Sequence, residues 1–210
     1  MNPCFIDHIT IASPTLEVGA ELVYRSLGVK PQKGGEHPRM GTHNLLLHLG
    51  ESTFLEVISI NSKAKKPTRA RWFALDDIKN NTPPKLKTWV VRTQDIQTAS
   101  AGCTEDLGKI EPMSRGETNW RITIPKDGRL PLQEGAPALI QWEGDSHPAF
   151  TLKDYGLSLF KLQIFHPEHD RLNKLLDSLN LQGNIDISSS NKTKIIAHIN
   201  TPHGIRQLHA

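Results

Sequence analysis

Cysteine is scarce. Cys4 and Cys103 stand far apart and in no thiolate-metal or redox spacing, which excludes a disulfide framework and a cysteine-built metal site. Long apolar runs are missing too. No stretch approaches the roughly 18 residues a membrane helix requires, and the N-terminus lacks the basic-then-apolar order of a secretory signal. A cytoplasmic chain with reduced thiols and no membrane partner is therefore expected. Charge of one sign is also lacking: the net charge is +3 with neutral histidine, too small to argue for nucleic acid. The one basic cluster, Lys63, Lys65, Lys66, Arg69 and Arg71, lies in a proline-containing stretch without interleaved aromatics and reads as a solvated linker face. What remains is an ordinary globular chain of 210 residues, long enough for one large domain or two small ones.

Its first patterned stretch is Phe5-Ile6-Asp7-His8-Ile9-Thr10-Ile11-Ala12. Alternation of polar and β-branched apolar residues predicts a half-buried strand. Strict alternation puts Ile6, His8 and Thr10 on one side and Asp7, Ile9 and Ile11 on the other. Ile9 and Ile11 mark the core, so His8 faces a cavity or water. Ser13-Pro14-Thr15 then opens a helix, Leu16, Ala20, Val23 and Leu27 supply its apolar face, and Gly28 ends it. A glycine-rich segment from Gly34 to Gly41 precedes two strands, Asn44 to Leu49 and Thr53 to Ile60, joined by a turn at Gly50-Glu51-Ser52. Residues 61–84 turn to Lys, Pro, Asn and Asp, with one apolar knot at Trp72-Phe73-Ala74-Leu75, and read as a linker carrying a docked helical turn.

A shift of 80 positions brings the pattern back: Ile6 falls on Leu86, Ile9 on Trp89, Ile11 on Val91, and Leu27-Gly28 on Leu107-Gly108. Both periodicities survive the one shift, which marks an internal repeat. Asn119 to Pro125 and Ala138 to Trp142 supply later strands. A weaker third copy runs from Leu157 through a leucine-faced helix (Leu172, Leu175, Leu176, Leu179) to strands near Ile185, Lys194 to Ile199 and Ile205 to Leu208. The position of His8 is taken by Thr88 in the second copy and by Phe160 in the third. The fold class expected is thus α+β: paired βαβββ units at about 4–60 and 85–145 in a domain of residues 1–154, then a βαββ-type extension over 155–210. For that extension two roles are open, covering a sheet edge or homodimerisation, and the first is expected.

The phrases Ile6-Asp7-His8-Ile9, His37-Pro38-Arg39-Met40-Gly41-Thr42-His43-Asn44, Phe54-Leu55-Glu56, Arg71-Trp72-Phe73, Pro112-Met113-Ser114-Arg115 and Gln141-Trp142 with His147-Pro148 resemble the vicinal oxygen chelate superfamily, the glyoxalase/bleomycin-resistance/dioxygenase fold, and in particular its glyoxalase-like branch. The resemblance implies two units curled around a cleft that takes a small oxygen-rich substrate. It also implies a divalent cation (Zn, Mn, Fe or Ni) held there by His8 and Glu56, with isomerase, lyase or dioxygenase chemistry. The second unit departs from that pattern. Its matching positions are Thr88 and, roughly, Ile140 or Gln141, none a good ligand, and His43 or His48 would have to fill in. A metal-free binding protein of the resistance type is the alternative reading.

Other candidates follow from residue type. Glu56, flanked by Phe54 and Ile58 on its own side, is a ligand, a base or an ion-pair partner. His43 and Asn44 follow glycines and are candidates for substrate contact. Arg115 and Arg121 each offer a planar fork for a carboxylate or phosphate, or a surface salt bridge. Trp120 and Trp142 read as core. His147, His166 and His203 sit in turns and are assigned no chemistry. Ser114 has no His/Asp partner pattern around it for a hydrolase triad.

Overall fold

The computed structural model describes residues 2–144 and 147–209. Its first strand, β1 (Cys4–Ala12), leads into α1 (Leu16–Leu27) and three strands, β2 (Gln32–His37), β3 (Thr42–His48) and β4 (Phe54–Ile60). After a 3₁₀ turn at Trp72–Asp77 the order repeats: β5 (Lys85–Arg92), α2 (Ile96–Gly102), β6 (Lys109–Arg115), β7 (Thr118–Ile124) and β8 (Ala138–Trp142). The strands form one curled mixed sheet in the order β2-β3-β4-β1-β5-β8-β7-β6. Within each run the first strand lies parallel to the last, and the two runs meet through antiparallel β1 and β5.

Local chemistry sets the element ends. The cap of α1 is Thr15, whose hydroxyl accepts from Val18 N; Ser13, the expected cap, instead donates its hydroxyl to Thr15 O at 2.7 Å. Gly28 closes the helix with φ +76° and its N–H on Tyr24 O. α2 begins on an Asp95 cap but stops at Gly102, well short of the expected end at Leu107. Glycine propagates a helix poorly, and the chain after it turns through Asp106 and Gly108.

The first strand breaks the expected alternation. Pairing of β1 with β5 runs Ile6↔Val91 and then His8↔Val90, so Asp7 is an extra residue, a β-bulge. A matching shift on β5 passes over Lys87, 80 positions further on. A bulge flips parity. Ile6 consequently packs with Ile9 and Ile11 in the helix-side core, and Asp7 joins His8 on the concave side.

Two cores result. The one on the convex face gathers Ile9, Ile11, Val23, Leu55, Val57 and Trp89 beneath the helices. The other lies in the hollow of the sheet around Met40, Ile58, Trp120, Ile122 and Ile140, and the 3₁₀ turn adds Trp72, Phe73 and Leu75 to it.

The remainder of the chain is β9 (Ser158–His166), α3 (His169–Ser178), β10 (Leu181–Gln182), β11 (Ile185–Ser189), β12 (Lys194–Thr201) and β13 (Gly204–Leu208). Its four-stranded sheet has its own order, β11-β9-β12-β13. Of these strands, among the described residues, β10 alone joins the large sheet: it pairs with Cys4 and Phe5 of β1, the part that β4, which starts pairing at His8, leaves open. The expected edge cover is thus two residues long. The larger contribution is to the convex face, where Leu162, Ile164, Leu172, Leu175, Ile195 and Ile199 complete the core of the large sheet.

Candidate functional site

The hollow of the sheet closes over a small cleft whose polar lining is His8, His37, Asn44, Glu56 and Arg115, with aromatic walls from Phe54, Trp72, Phe73, Trp120 and Trp142. Its volume is about 30 Å³, roughly one water's share of liquid. Parallel pairing sets Thr10 against Glu56 and His8 against Phe54. The imidazole therefore stacks on the Phe54 ring, with centroids 4.5 Å apart and planes 19° apart, and its Nε2 lies 3.7 Å from Glu56 Oε2.

Asp7, brought in by the bulge, fixes the imidazole. His8 Nδ1 donates to Asp7 Oδ1 at 2.6 Å, so Nε2 is the nitrogen turned to the cleft. The other carboxylate oxygen accepts from Trp142 Nε1 at 2.8 Å and from His147 Nε2 at 3.0 Å. His147 Nδ1 accepts from Ala149 N, which leaves the proton on Nε2. Burial alone would raise the pKa of Asp7. The bonds and charges of His147 and His8 outweigh it and hold the carboxyl well below the usual carboxylate range. A buried, ionised Asp with three donors is a rigid anchor.

Glu56 is held from the other side. Its Oε1 accepts from Asn44 Nδ2 at 2.6 Å and its Oε2 from Thr10 Oγ1 at 3.4 Å. Asn44 is oriented in turn, because its Oδ1 accepts from Gly35 N at 2.9 Å and Arg115 Nη1 at 3.4 Å. The two glycines before it are required by close approach: a Cβ on Gly34 would collide with Asn44 Oδ1, and one on Gly35 would stand 2.6 Å from Arg115 Cδ. His37 completes the row, with Nδ1 3.0 Å from Thr42 Oγ1 and Nε2 3.5 Å from Asn44 Nδ2. Burial first, then the charges of Arg115, His43 and His8, push its pKa down to about 3. It is a neutral ring, wedged edge-on against Trp72 and Trp120. Trp72 Nε1 is buried without a hydrogen-bond partner among the described residues.

Of the residues singled out in the sequence, His8, Glu56, Asn44 and Arg115 converge here. His43 and Arg121 do not. His43 points to the helix side, where Glu36 and Glu17 are its charged neighbours. Arg121, between the cleft-lining Trp120 and Ile122, faces Asp95 at the start of α2. One-residue parity accounts for both. His48 ends beside Asp154, 3.4 Å away. Trp120 and Trp142 are walls of the cleft as well as core. Asp7, His37 and His147 were missed. The signal that would have found Asp7 is a charged residue next to the strand histidine on a side otherwise all isoleucine.

Among its described residues the second half offers nothing equivalent. Register places Ala138 against Val90 as Glu56 stands against Thr10, so Ala138, rather than Ile140 or Gln141, is the counterpart of Glu56. Gln141 instead accepts from Ile96 N at the start of α2. Thr88 bonds to the backbone of Trp89. Among the described residues no three His, Cys, Asp or Glu side chains converge as a ligand set.

The sequence profile of the glyoxalase-like domain matches residues 6–180. The chain belongs to the glyoxalase-like domain family. Among solved structures, a hypothetical protein from Staphylococcus aureus is similar over 91% of this chain and 88% of its own, with 15% identity and a TM-score of 0.65; it shares the fold. Methylmalonyl-CoA epimerase from Mycobacterium tuberculosis aligns over 70% of this chain and 91% of its own, at 16% identity and a TM-score of 0.44. A single-residue variant of Streptomyces coelicolor methylmalonyl-CoA epimerase, in complex with 2-nitronate-propionyl-CoA, aligns over 66% and 97%, at 20% and 0.43. No curated protein matches the chain. No helix among the described residues of this glyoxalase-like protein is long and apolar enough to cross a membrane.

Proposed function

We propose that this glyoxalase-like protein binds a small, anionic, oxygen-rich metabolite in the cleft and moves a proton on it, as an isomerase or lyase does. The observation that carries the reading is the 3.7 Å approach of His8 Nε2 to Glu56 Oε2 in a wall otherwise largely apolar. Glu56, with lone pairs left over after Asn44 and Thr10, takes a proton from the carbon next to a carbonyl. His8, its Nδ1 proton held by ionised Asp7, turns the Nε2 lone pair to the cleft and accepts from a substrate hydroxyl, and the oxygen that gains charge is left to the N–H donors of the cleft. Arg115 anchors the anionic end, and the free Trp72 Nε1–H supplies a second donor. A cleft of about 30 Å³ admits such a molecule only if the Trp72-Phe73 turn yields.

A divalent cation fits these residues incompletely. His8 Nε2 and Glu56 would hold it, but Thr88 and Ala138 replace the ligands of the other half, and Asn44 Oδ1 is already occupied by Gly35 N and Arg115. Two protein ligands fall short of the three that a catalytic site of this kind takes, and no step above is routed through the ion. The narrow cleft and the lack of ligand side chains at Thr88 and Ala138 favour one further reading, metal-free binding without chemistry. The two halves are read as copies of one unit, supported by their bulges at Asp7 and Lys87.

The test is proton exchange. Small 2-oxo and 2-hydroxy acids are screened by thermal shift, and those that bind are followed in D₂O by proton NMR. Loss of the α-proton signal with wild type, absent with Glu56→Gln, is the expected result. Binding that Arg115→Ala abolishes, with no exchange in any case, establishes the binding-only reading. Absence of binding across the panel removes both. Metal content, before and after soaking with Zn, Mn, Fe or Ni and in His8→Ala, is measured alongside.

A further inference from the structure

A larger hollow, of about 590 Å³, lies on the far side of Trp142 and His147 from the cleft, at the ends of β1, β5 and β8. That volume is in the range of small-molecule sites. Its walls are Phe5, Trp142, His147 and Phe150, and among the described residues its one cation is Arg92. Phe150 is 62% exposed, an aromatic ring left at the rim and tilted against His147 at 5.3 Å.

The hydrogen bonds of Arg92 say what the hollow would hold. Both Nη1 hydrogens are spent, on Ile6 O at 2.8 Å and Ser52 O at 2.7 Å, and one Nη2 hydrogen is spent on Ser52 Oγ at 2.8 Å. A guanidinium has five N–H groups. Among the described residues, the Nε–H and the remaining Nη2–H have no acceptor, and no carboxylate forms an ion pair with Arg92. Those two are the parallel edge that a carboxylate takes in bidentate fashion. The guanidinium cannot turn to offer any other edge, because three bonds to β1 and the β3–β4 turn fix it and the Phe5 ring lies 5.3 Å below its carbon.

We infer that this hollow is a second ligand site, for an aromatic carboxylate whose acid group meets the open edge of Arg92 and whose ring lies among Phe5, Trp142 and Phe150. The site is separate from the cleft and independent of the chemistry proposed there. Trp142 and His147, which form the partition, are also the residues that bond Asp7.

The probes are 2-naphthoate and its uncharged twin 2-naphthamide, titrated into the full chain by calorimetry. Naphthoate is expected to bind with Kd of about 1 mM or tighter, as ligand-efficiency bounds allow for its size. The amide should bind at least tenfold more weakly. Arg92→Gln and Phe150→Ala should each weaken naphthoate at least fivefold, and Glu56→Gln should leave it unchanged. If Arg92→Gln does not fold, judged by circular dichroism, Phe150→Ala and the amide decide. Equal binding of acid and amide, an unchanged affinity in Phe150→Ala, loss of binding in Glu56→Gln, or no saturable binding at several millimolar each overturns the inference.

Discussion

Asp7 carries three donors on one buried carboxylate, and this sets its cost. Asp7→Ala would leave His8 Nδ1, Trp142 Nε1 and His147 Nε2 without an acceptor in a site closed to water. Removing one member of a buried charged network costs about 3–5 kcal/mol, and the expected outcome is a urea midpoint lowered to match, at unchanged slope. Acid should act on the same region through His37. Its folded pKa, about 3, lies below the ordinary value near 6.5. As pH falls through that window the unfolded chain takes up a proton that the folded chain refuses, so stability is full above about pH 6.5 and is lost toward pH 3. From pH 7 to pH 5 this one ring accounts for about 2 kcal/mol. Asp7, whose pKa is likewise lowered, adds its own loss only below the ordinary carboxylate value, where the unfolded carboxyl takes up its proton and the folded one does not. Urea melts at the two pH values check the first claim: His37→Gln should lose less stability than wild type between them. Neither residue stood out in the sequence. Asp7 is hidden by a bulge that no alternation reveals. His37 occupies a glycine-rich stretch that looks irregular and is in fact a strand.

Elements with plain periodicity were legible. The first strand, the first helix with its Gly28 end, and the hairpin of β3 and β4 follow from period 2, period 3.6 and turn residues. What could not be read is register. Matching the two units along the chain set Ile140 or Gln141, roughly, against Glu56, whereas backbone pairing selects Ala138. The same one-residue ambiguity placed His43 and Arg121 at the site when they lie behind it. The turn at Trp72–Asp77 was legible as an apolar knot but not in shape. Phe73 and Ala74 adopt φ of +57° and +50°, where L-residues are strained by about 1–2 kcal/mol each. What holds them is Ala74 N on Gly128 O at 2.9 Å and the backbone of Gly128 lying against Arg71. Gly128 itself has φ +75°, and a Cβ there would run into the Arg71 carbonyl. Gly128→Ala should therefore cost at least about 2 kcal/mol, a drop of roughly 4–8 °C in Tm for a chain of this size. It should also loosen the turn before the rest unfolds. Red-shifted tryptophan fluorescence at temperatures where far-ultraviolet circular dichroism is still native would report it, and coincident transitions would count against the turn as a separable lid.

At the scale of the molecule, the question is whether the last quarter of the chain is an accessory or part of the fold. Its leucine-faced helix and alternating strands were visible in the sequence, but their destination was not, because a pattern shows which face is apolar and not what covers it. The structure answers through the convex core. Leu162 and Ile164 of β9, Leu172 and Leu175 of α3, and Ile195, Ala197 and Ile199 of β12 share one cluster with Ile9, Leu55 and Trp89 of the large sheet. α1 is itself covered by β13. Without this layer the large sheet would present a broad apolar face to water, beyond what a soluble monomer tolerates. A chain ending at Asp154 is accordingly expected to aggregate on expression. In the intact protein Leu172→Ala should lower stability by about 2–5 kcal/mol in a single transition that fluorescence and circular dichroism report together, since the four tryptophans precede residue 154 and the mutation lies in the C-terminal extension. A soluble, monomeric 1–154 fragment with native near-ultraviolet dichroism would show that the cleft stands without the extension. The shared core would then be a docked surface and not a common interior.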